Sequence, residues 1–315
     1  MKYLVTGCAG FIGSSLTKEL VERGHRVLGI DNFDGTLYPS DIKRSRLDAL
    51  LSQFDFEFLE MDIRDRSFLS QISTFRPEVL INEAGLPGQE ASWNSLDLYS
   101  QSNFLGAFSI AQIAVETGVR KFVQASTSSV YGLNATGSEE SKKDPISPYG
   151  VTKLAAEHIL KAVFEKTKVD FVTVRYFSVY GPGQRPDMGI YKFINSSLMG
   201  SPVNIYGDGL QSRDFTYVLD AVNGTIAAAE YGRSGQAYNL SGGEIVTVSK
   251  LLLEIENISG RRFKKIYQTA PRGDQLATSA DTSKAQRDLH WKPLVRLYEG
   301  IKQQYEWQKS LLNFQ

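Results

Sequence analysis

The sequence predicts an α/β protein, in which a doubly wound parallel sheet is covered by helices on both faces and carries a smaller α/β domain. Three observations predict it. Short apolar runs alternate with longer helical patterns through the first 175 residues, and such alternation implies a parallel sheet. A glycine-rich turn joins the first apolar run to the first helical pattern. Beyond Arg175 the pattern turns irregular and richer in Gly and Pro, as in YGPGQRPDMG, YGDGLQSRD and SGGE. In order, strands are expected at 3–6, 27–30, 56–61, 79–82, 121–125 and 171–175, with helices at 12–23, 97–117 and 149–166 between them. Two further helices are expected near 247–258 and 294–311. Residues 1–175, with a re-entrant part near 214–245, are expected to form the first domain. Residues 176–213 and 246–315 are expected to form the second.

Composition bounds what such a protein does. A chain of 315 residues exceeds one ordinary domain and buries a sizeable core without a disulfide or a metal. Lys+Arg and Asp+Glu are both 35, which argues against nucleic acid or an anionic membrane as the main partner. A small anionic ligand needs only a few local cations. Cys8 is the one cysteine, so there is no intramolecular disulfide and no Cys-ligated zinc site. The start, MKYLVTGCAG, lacks the apolar region of a signal peptide, and no run approaches a membrane span. A reducing, cytoplasmic setting is the expectation.

The glycine turn reads Gly7-Cys8-Ala9-Gly10-Phe11-Ile12-Gly13. One glycine makes the tight turn, one lets the backbone approach a pyrophosphate, and one allows close strand–helix packing. The helix starting there offers free N–H groups and a positive dipole end to phosphates. Asp31 ends the second strand, 18 residues beyond Gly13. A carboxylate there accepts hydrogen bonds from both ribose hydroxyls and favours NAD over NADP, whose 2′-phosphate meets a negative charge. The first domain is therefore expected to be a Rossmann-type nucleotide domain. Asp62 follows the third strand, where it can hold the adenine edge, and reads equally as a cap for the next helix.

The catalytic candidates lie on the helix near Pro148. Tyr149 and Lys153 are four apart, hence on one helical face. A free phenol with a pKa near ~10 is a poor base at neutral pH. A neighbouring ammonium, with the positive nicotinamide ring, favours the phenolate, which can take a proton from a hydroxyl while hydride leaves the same carbon. A Tyr-x-x-x-Lys pair alone is commonly just helix surface. It gains weight from Ser126-Thr127-Ser128-Ser129 at the carboxyl end of the fifth strand, whose hydroxyls can donate to a reacting oxygen or form a plain polar loop.

The combination resembles the extended short-chain dehydrogenase/reductases, and within them the NAD-dependent sugar-nucleotide epimerases. The resemblance covers nearly the whole chain and rests on GCAGFIG, DN at 31–32, DI at 62–63, Ala84-Gly85, Asn103, STSSVYG, SPYGVTKLAAE, RYFSVYGPGQRPDM, RDFTYV and PRGDQLATSAD in that order. It implies that Tyr149 is the base, Lys153 binds the nicotinamide ribose, and Thr127 bridges the sugar O4. It also implies that Asn32 lies with Asp31 at the cofactor, that Asp62 and Ile63 hold the adenine, and that Ala84, Gly85, Asn103 and Phe177 lie near the nicotinamide half. Members of the family usually form homodimers through the helices expected here at 97–117 and 149–166.

The same resemblance bears on the reaction. The 4,6-dehydratases are similar here but carry STDEVYG, whose Asp and Glu drive loss of water. Ser128 and Ser129 stand in those places, so dehydration lacks its catalysts. UDP-glucuronate decarboxylases usually carry a Glu where Ser129 lies. Return of the hydride to the opposite face, which is 4-epimerisation, is the remaining fate, and NAD regenerated each turnover stays tightly bound. Arg213 and Arg272 are implied at the diphosphate and Asp274 at the nucleotide ribose, although Arg272 reads equally as a surface arginine. GPGQRPDM looks like the bacterial UDP-glucuronate 4-epimerases, which places Arg185 on a C6 carboxylate with Ser178 and the hydroxyls of 128–129. The other reading of Arg185 is a loop-ordering salt bridge. Alternatives to UDP-glucuronate epimerisation are a 4-epimerase of neutral UDP-hexoses, a UDP-glucuronate-oxidising decarboxylase, and a net oxidoreductase or a non-catalytic NAD-binding scaffold.

Overall fold

A computed structural model describes residues 1–312. The chain opens with β1 (Lys2–Thr6), α1 (Phe11–Glu22), β2 (Arg26–Asp31), α2 (Ser40–Gln53), β3 (Glu57–Glu60), α3 (Leu69–Phe75) and β4 (Val79–Asn82). Next come α4 (Gln89–Ser92), α5 (Leu96–Tyr99), a π-helical stretch (Ser100–Leu105), α6 (Gly106–Thr117), β5 (Lys121–Thr127), a 3₁₀ turn (Ser128–Tyr131), β6 (Asn134–Gly137), α7 (Pro148–Phe164) and β7 (Asp170–Tyr176). The rest comprises β8 (Val179–Tyr180), α8 (Gly189–Met199), β9 (Val203–Tyr206), β10 (Ser212–Tyr217), α9 (Val218–Tyr231), β11 (Gln236–Leu240), β12 (Glu244–Thr247), α10 (Val248–Ser259), β13 (Lys265–Gln268), β14 (Ala277–Ala280), α11 (Ser283–Leu289) and α12 (Leu297–Leu312). Among the described residues, no helix is long and apolar enough to cross a membrane.

Seven strands form one parallel sheet in the order β11-β7-β5-β4-β1-β2-β3. All six expected strands lie in it. Except for the edge strand β3, whose ends are exposed, they are buried on both faces, as near-continuous apolar runs require. Tyr3, Val5, Ile81, Val123 and Val174 pack on one side with Leu16, Leu20 and Val222 of α1 and α9. Leu4, Ile30, Leu80 and Phe122 pack on the other with Ile72, Ile110 and Leu160 of α3, α6 and α7. Each such side chain contributes ~1.5–3 kcal/mol. From β1 the chain winds one way to β2 and β3, then returns to β4 on the other side, so the strand order reverses between β1 and β4. A crevice opens at such a point beyond the carboxyl ends.

Three expectations change. The helix at 97–117 is interrupted by the π-helical stretch, which no propensity signal marks and which places Asn103 inward. The helices α2, α3, α4, α8, α9 and α11 have no counterpart among the expected ones; α2 buries only Leu47 and Leu50, too little for a periodic pattern. The re-entrant segment is also narrower than 214–245. The strand β10 pairs antiparallel with β12 and parallel with β14 in a smaller sheet, so only α9 and β11 join the large one. The reason is Asp214, whose carboxylate accepts the N–H groups of Gly243 at 2.8 Å and Ala280 at 3.1 Å and holds β10 in that sheet.

Beneath the carboxyl ends, Arg175 of β7 meets Glu157 of α7. Arg175 Nε donates to Glu157 Oε1 at 3.0 Å and Nη2 to Oε2 at 2.6 Å. Arg175 Nη1 donates to the Tyr131 hydroxyl at 2.8 Å, and Ser126 Oγ donates to Glu157 Oε1 at 2.5 Å. The two side chains are only 5% and 10% exposed. Removing one partner of a buried pair costs ~3–5 kcal/mol, whereas exposed pairs contribute ~0–1. Glu157→Leu is therefore expected to lower the unfolding free energy by about 3 kcal/mol or more in urea denaturation. Asp144→Asn, which breaks a pair 81% and 69% exposed, is expected to change it by less than about 1 kcal/mol. Equal effects would remove the Glu157–Arg175 pair as a structural anchor.

Candidate active site

The crevice is a cleft of about 880 Å³, in the range of small-molecule sites. Its floor begins at the glycine turn. Gly7 has φ 69°, and a Cβ there would lie 2.8 Å from the Ala84 nitrogen. A Cβ on Gly13 would collide with the Gly7 carbonyl. The turn thus packs tightly on itself and on the loop after β4. No side chain caps α1, so its first N–H groups remain free for an anion. Gly7, Gly10, Phe11, Ile12 and Gly13 all line the cleft.

Asp31 ends β2 and lines the same cleft. Its Oδ2 accepts the Ala9 N–H at 3.1 Å and its Oδ1 the Phe33 N–H at 2.8 Å, so it also braces the glycine turn. Lys43 Nζ stands 3.6 Å away, a cleft cation that the sequence reading missed because α2 carries no motif. Asn32 Nδ2 donates to Asp62 Oδ2 at 2.9 Å. Asp62 accepts from the Arg64 guanidinium and backbone, which hold its carboxyl below the usual range. Because α3 starts only at Leu69, Asp62 does not cap it. Ile63, Ala84 and Gly85 line the cleft.

Asn103 and Phe177 do not line it. Asn103 is buried, with Oδ1 accepting the Leu86 N–H at 2.7 Å and Nδ2 donating to the Leu86 carbonyl at 2.9 Å. It shapes the loop after β4 from behind. Phe177 is buried with Val130, Tyr131 and Ala135, because side chains alternate at the end of β7. Its neighbours Tyr176 and Ser178 face the cleft instead.

Ser147 Oγ accepts the Gly150 N–H at 3.2 Å, and Pro148 opens α7, a favourable start for a helix. A Cβ on Gly150 would lie 2.7 Å from the Ser129 carbonyl, so glycine lets α7 abut the serine-rich turn. Thr127 Oγ1 accepts the Ser129 N–H at 3.1 Å. Gln89 Nε2 donates to Ser129 Oγ at 3.1 Å. Thr127, Ser128, Ser129, Tyr149 and Lys153 meet in the cleft, while Ser126 turns its hydroxyl to Glu157. Burial raises the Tyr149 phenol, and the Thr127 hydroxyl and the Arg185 charge oppose that rise. Arg185, on the loop after β8, is thus a cation that acts on the phenol. Burial lowers Lys153 to about 8 against the pull of Glu83 and Glu157. Glu83, also missed from sequence, is raised by burial to about 7.

The outer cleft holds the remaining candidates. Ser178 has φ 25°, sparsely populated for a non-glycine residue. Arg185 Nε and Nη2 donate to Asp187 at 3.0 and 2.8 Å. Among the described residues, its Nη1 has no hydrogen-bond partner. The loop is anchored from behind, where Gln304 Nε2 donates to Gln184 Oε1 at 2.7 Å. Arg213 Nη2 donates to Asp274 Oδ1 at 2.7 Å. The Arg272 guanidinium lies 3.7 Å from the Trp93 ring centre, and Trp93 Nε1 donates to the Arg272 carbonyl at 3.1 Å. All three arginines line the cleft.

Residues 3–241 match the NAD dependent epimerase/dehydratase family. The chain belongs to that family. It is 38% identical over 315 residues to the uncharacterized UDP-glucose epimerase YtcB of Bacillus subtilis (strain 168), covering 99% of each. It is 37% identical to the UDP-glucuronate 4-epimerase of Thermodesulfobacterium geofontis, over 98% of this chain and 96% of that one. The crystal structure of UDP-glucuronic acid 4-epimerase from Bacillus cereus, in complex with UDP-glucuronic acid and NAD, superposes with TM-score 0.94 at 36% identity, covering 99% of this chain and 100% of that one.

The glycine cradle, the uncapped start of α1 and the carboxylate closing β2 fit a dinucleotide. Hydrogen bonds to a charged group are worth ~1.5–3 kcal/mol, so Asp31→Ala is expected to weaken NAD binding about tenfold or more and to relax discrimination against NADP. Titration of the stripped protein with both dinucleotides measures this. Unchanged preference would remove Asp31 from the ribose site.

Proposed function

We propose that the protein is an NAD-dependent UDP-sugar 4-epimerase that interconverts UDP-glucuronate and UDP-galacturonate through a 4-keto sugar. The observation that carries this reading is Arg185, with Nη1 unpartnered, in one cleft with the Ser128, Ser129 and Ser178 hydroxyls and the Tyr149/Lys153 pair. Glycines 7, 10 and 13 with Asp31, Asn32, Asp62 and Ile63 hold NAD, and Lys153 holds its nicotinamide ribose. Bound there, NAD would supply a hydride acceptor and then donor for the sugar C4, so that epimerisation would involve no net redox change. Tyr149 takes the O4 proton and gives it back, while Thr127 donates to O4 and keeps the oxygen in line with the phenol. Arg213 and Arg272 hold the diphosphate by multidentate hydrogen bonding, and Asp274 holds the nucleotide ribose.

Arg185 grips the C6 carboxylate, which must be paired when buried. The 4-keto form of glucuronate is a β-keto acid and loses CO2 when its C5–carboxyl bond aligns with the carbonyl π system. A carboxylate held near the ring plane resists that loss. Serines at 128 and 129 leave no acid for dehydration, and Ser129 departs from the Glu usual in decarboxylases. A second reading, epimerisation of neutral UDP-hexoses, is favoured by the Arg185–Asp187 pair, which already orders the loop without a substrate charge.

We also propose a homodimer formed through the helical run at 96–117 and α7. Leu96, Leu105 and Val151 are all more than 40% exposed there, an apolar surface suited to a partner copy. A cytoplasmic setting remains part of this reading.

Tyr149→Phe is expected to abolish turnover while NAD and UDP-sugar binding persist, as isothermal titration and product NMR can check. A variant with near-normal kcat would assign the base elsewhere. Arg185→Ala leaves both the substrate carboxylate and Asp187 without their cation. Losing a buried charge partner costs ~3–5 kcal/mol, and solvent entering the gap reduces this. The kcat/KM for UDP-glucuronate is therefore expected to fall at least about a hundredfold, with more CO2 released per residual turnover. UDP-glucose serves as the comparison. Equal losses on both substrates would make Arg185 structural, and wild type preferring UDP-glucose would establish the neutral-hexose reading.

A further inference from the structure

Glu83 follows β4 and lines the cleft beside Lys153, yet the reaction as derived does not use it. Its Oε1 lies 2.6 Å from the Tyr176 hydroxyl, which lies 2.6 Å from Thr225 Oγ1, which in turn lies 2.8 Å from the Ala221 carbonyl. Each hydroxyl has one proton to give. If Thr225 donates to Ala221, Tyr176 donates to Thr225, and the last bond is complete only if Glu83 carries a proton for the Tyr176 oxygen. If Glu83 is ionised, Tyr176 donates to it, Thr225 turns to Tyr176, and the Ala221 carbonyl loses that donor. The chain therefore accommodates both states of Glu83 by reversing direction.

Several charged groups bear on this carboxyl and on its neighbours. Lys153 acts on it from α7 and Tyr176 from β7. Tyr149 on α7 feels Glu83 together with Arg185 from the loop after β8. Lys153 feels Glu83 and Glu157, but both oxygens of Glu157 are bonded to Arg175. Glu83 is thus the carboxylate near Lys153 whose charge no arginine offsets. Tyr176 is pushed far up by burial and by Glu83 itself, so Glu83 is the titrating member of the chain. Burial raises Glu83 and lowers Lys153, so the two titrations are drawn toward one another.

We propose that Glu83 is a positioning residue for the Tyr149/Lys153 pair, its charge keeping the Lys153 ammonium protonated and setting the pH window of the pair through the Tyr176–Thr225 proton chain. This rests on the roles given above to Tyr149 and Lys153, and not on the identity of the sugar. The sign is definite. A negative charge raises both the phenol and the ammonium, so its removal lowers both.

Glu83→Gln removes the charge and keeps an oxygen for Tyr176. In the NAD-loaded protein, the alkaline limb of kcat is expected to move down by about one pH unit. The tyrosinate absorbance assigned to Tyr149, by difference from Tyr149→Phe, is expected to appear at lower pH by a similar amount. Tyr176→Phe, which keeps the carboxyl but deprives its charged form of a donor, is expected to shift both in the same direction and by less. A Glu83→Gln profile that falls in height without moving, with an unmoved tyrosinate titration, would overturn the proposal. The tyrosinate titration needs no sugar, so an error in the substrate leaves it readable. If Tyr149 is not the base, the tyrosinate signal shifts while the kcat limb stays in place.

Discussion

The site depends on how α7 is held against the sheet. Tyr149, Lys153 and Glu157 are spaced by four residues and so share one helical face. The third of them is bound by Arg175 of β7 in a buried, two-pronged pair. Ser126 of β5 joins the same carboxylate, and Tyr131 of the serine-rich turn joins the same guanidinium. Four pieces that carry the chemistry are therefore tied to a single ion pair one turn below it. A buried charge pair is poor evidence of net stability, because desolvation offsets its attraction. Its geometry is strict, however, and a misplacement of about 1 Å in a reacting group can cost on the order of a hundredfold in rate.

The cofactor half is organised by backbone rather than by charge. The glycine turn packs on itself and on the Ala84–Leu86 loop, and Asn103 and Thr6 fix that loop through hydrogen bonds to its backbone. Asp31 has two tasks at once, bracing Ala9 and Phe33 while lining the cleft. At the end of β2 it stands beside the point where the strand order reverses, next to β1.

In the outer half, two of the three arginines have a carboxylate partner, while Arg272 stacks on Trp93. Arg185 has Asp187, and Arg213 has Asp274. Such pairs keep cations aligned in a partly dry cleft at the cost of some attraction for an anionic ligand.

Much of this was legible in the sequence. Strand–helix alternation, the three glycines, Asp31 and the Tyr149/Lys153 spacing depend on local geometry with fixed periods, so the parallel sheet and the core of the site could be read directly. Other features depend on contacts between residues far apart in the chain. The π-helical stretch that turns Asn103 inward, the burial of Phe177 and the attachment of β10 to the smaller sheet have no local signature. Lys43 and Glu83 belong to no motif, and they reach the cleft only because α2 folds back toward β2 and β4 ends beside α7. Local periodicity is enough to set which chemistry-bearing residues sit at strand ends. Which of them face the cleft, and which charges act on one another, is set by packing between distant segments, because burial and Coulomb interaction depend on distance in space.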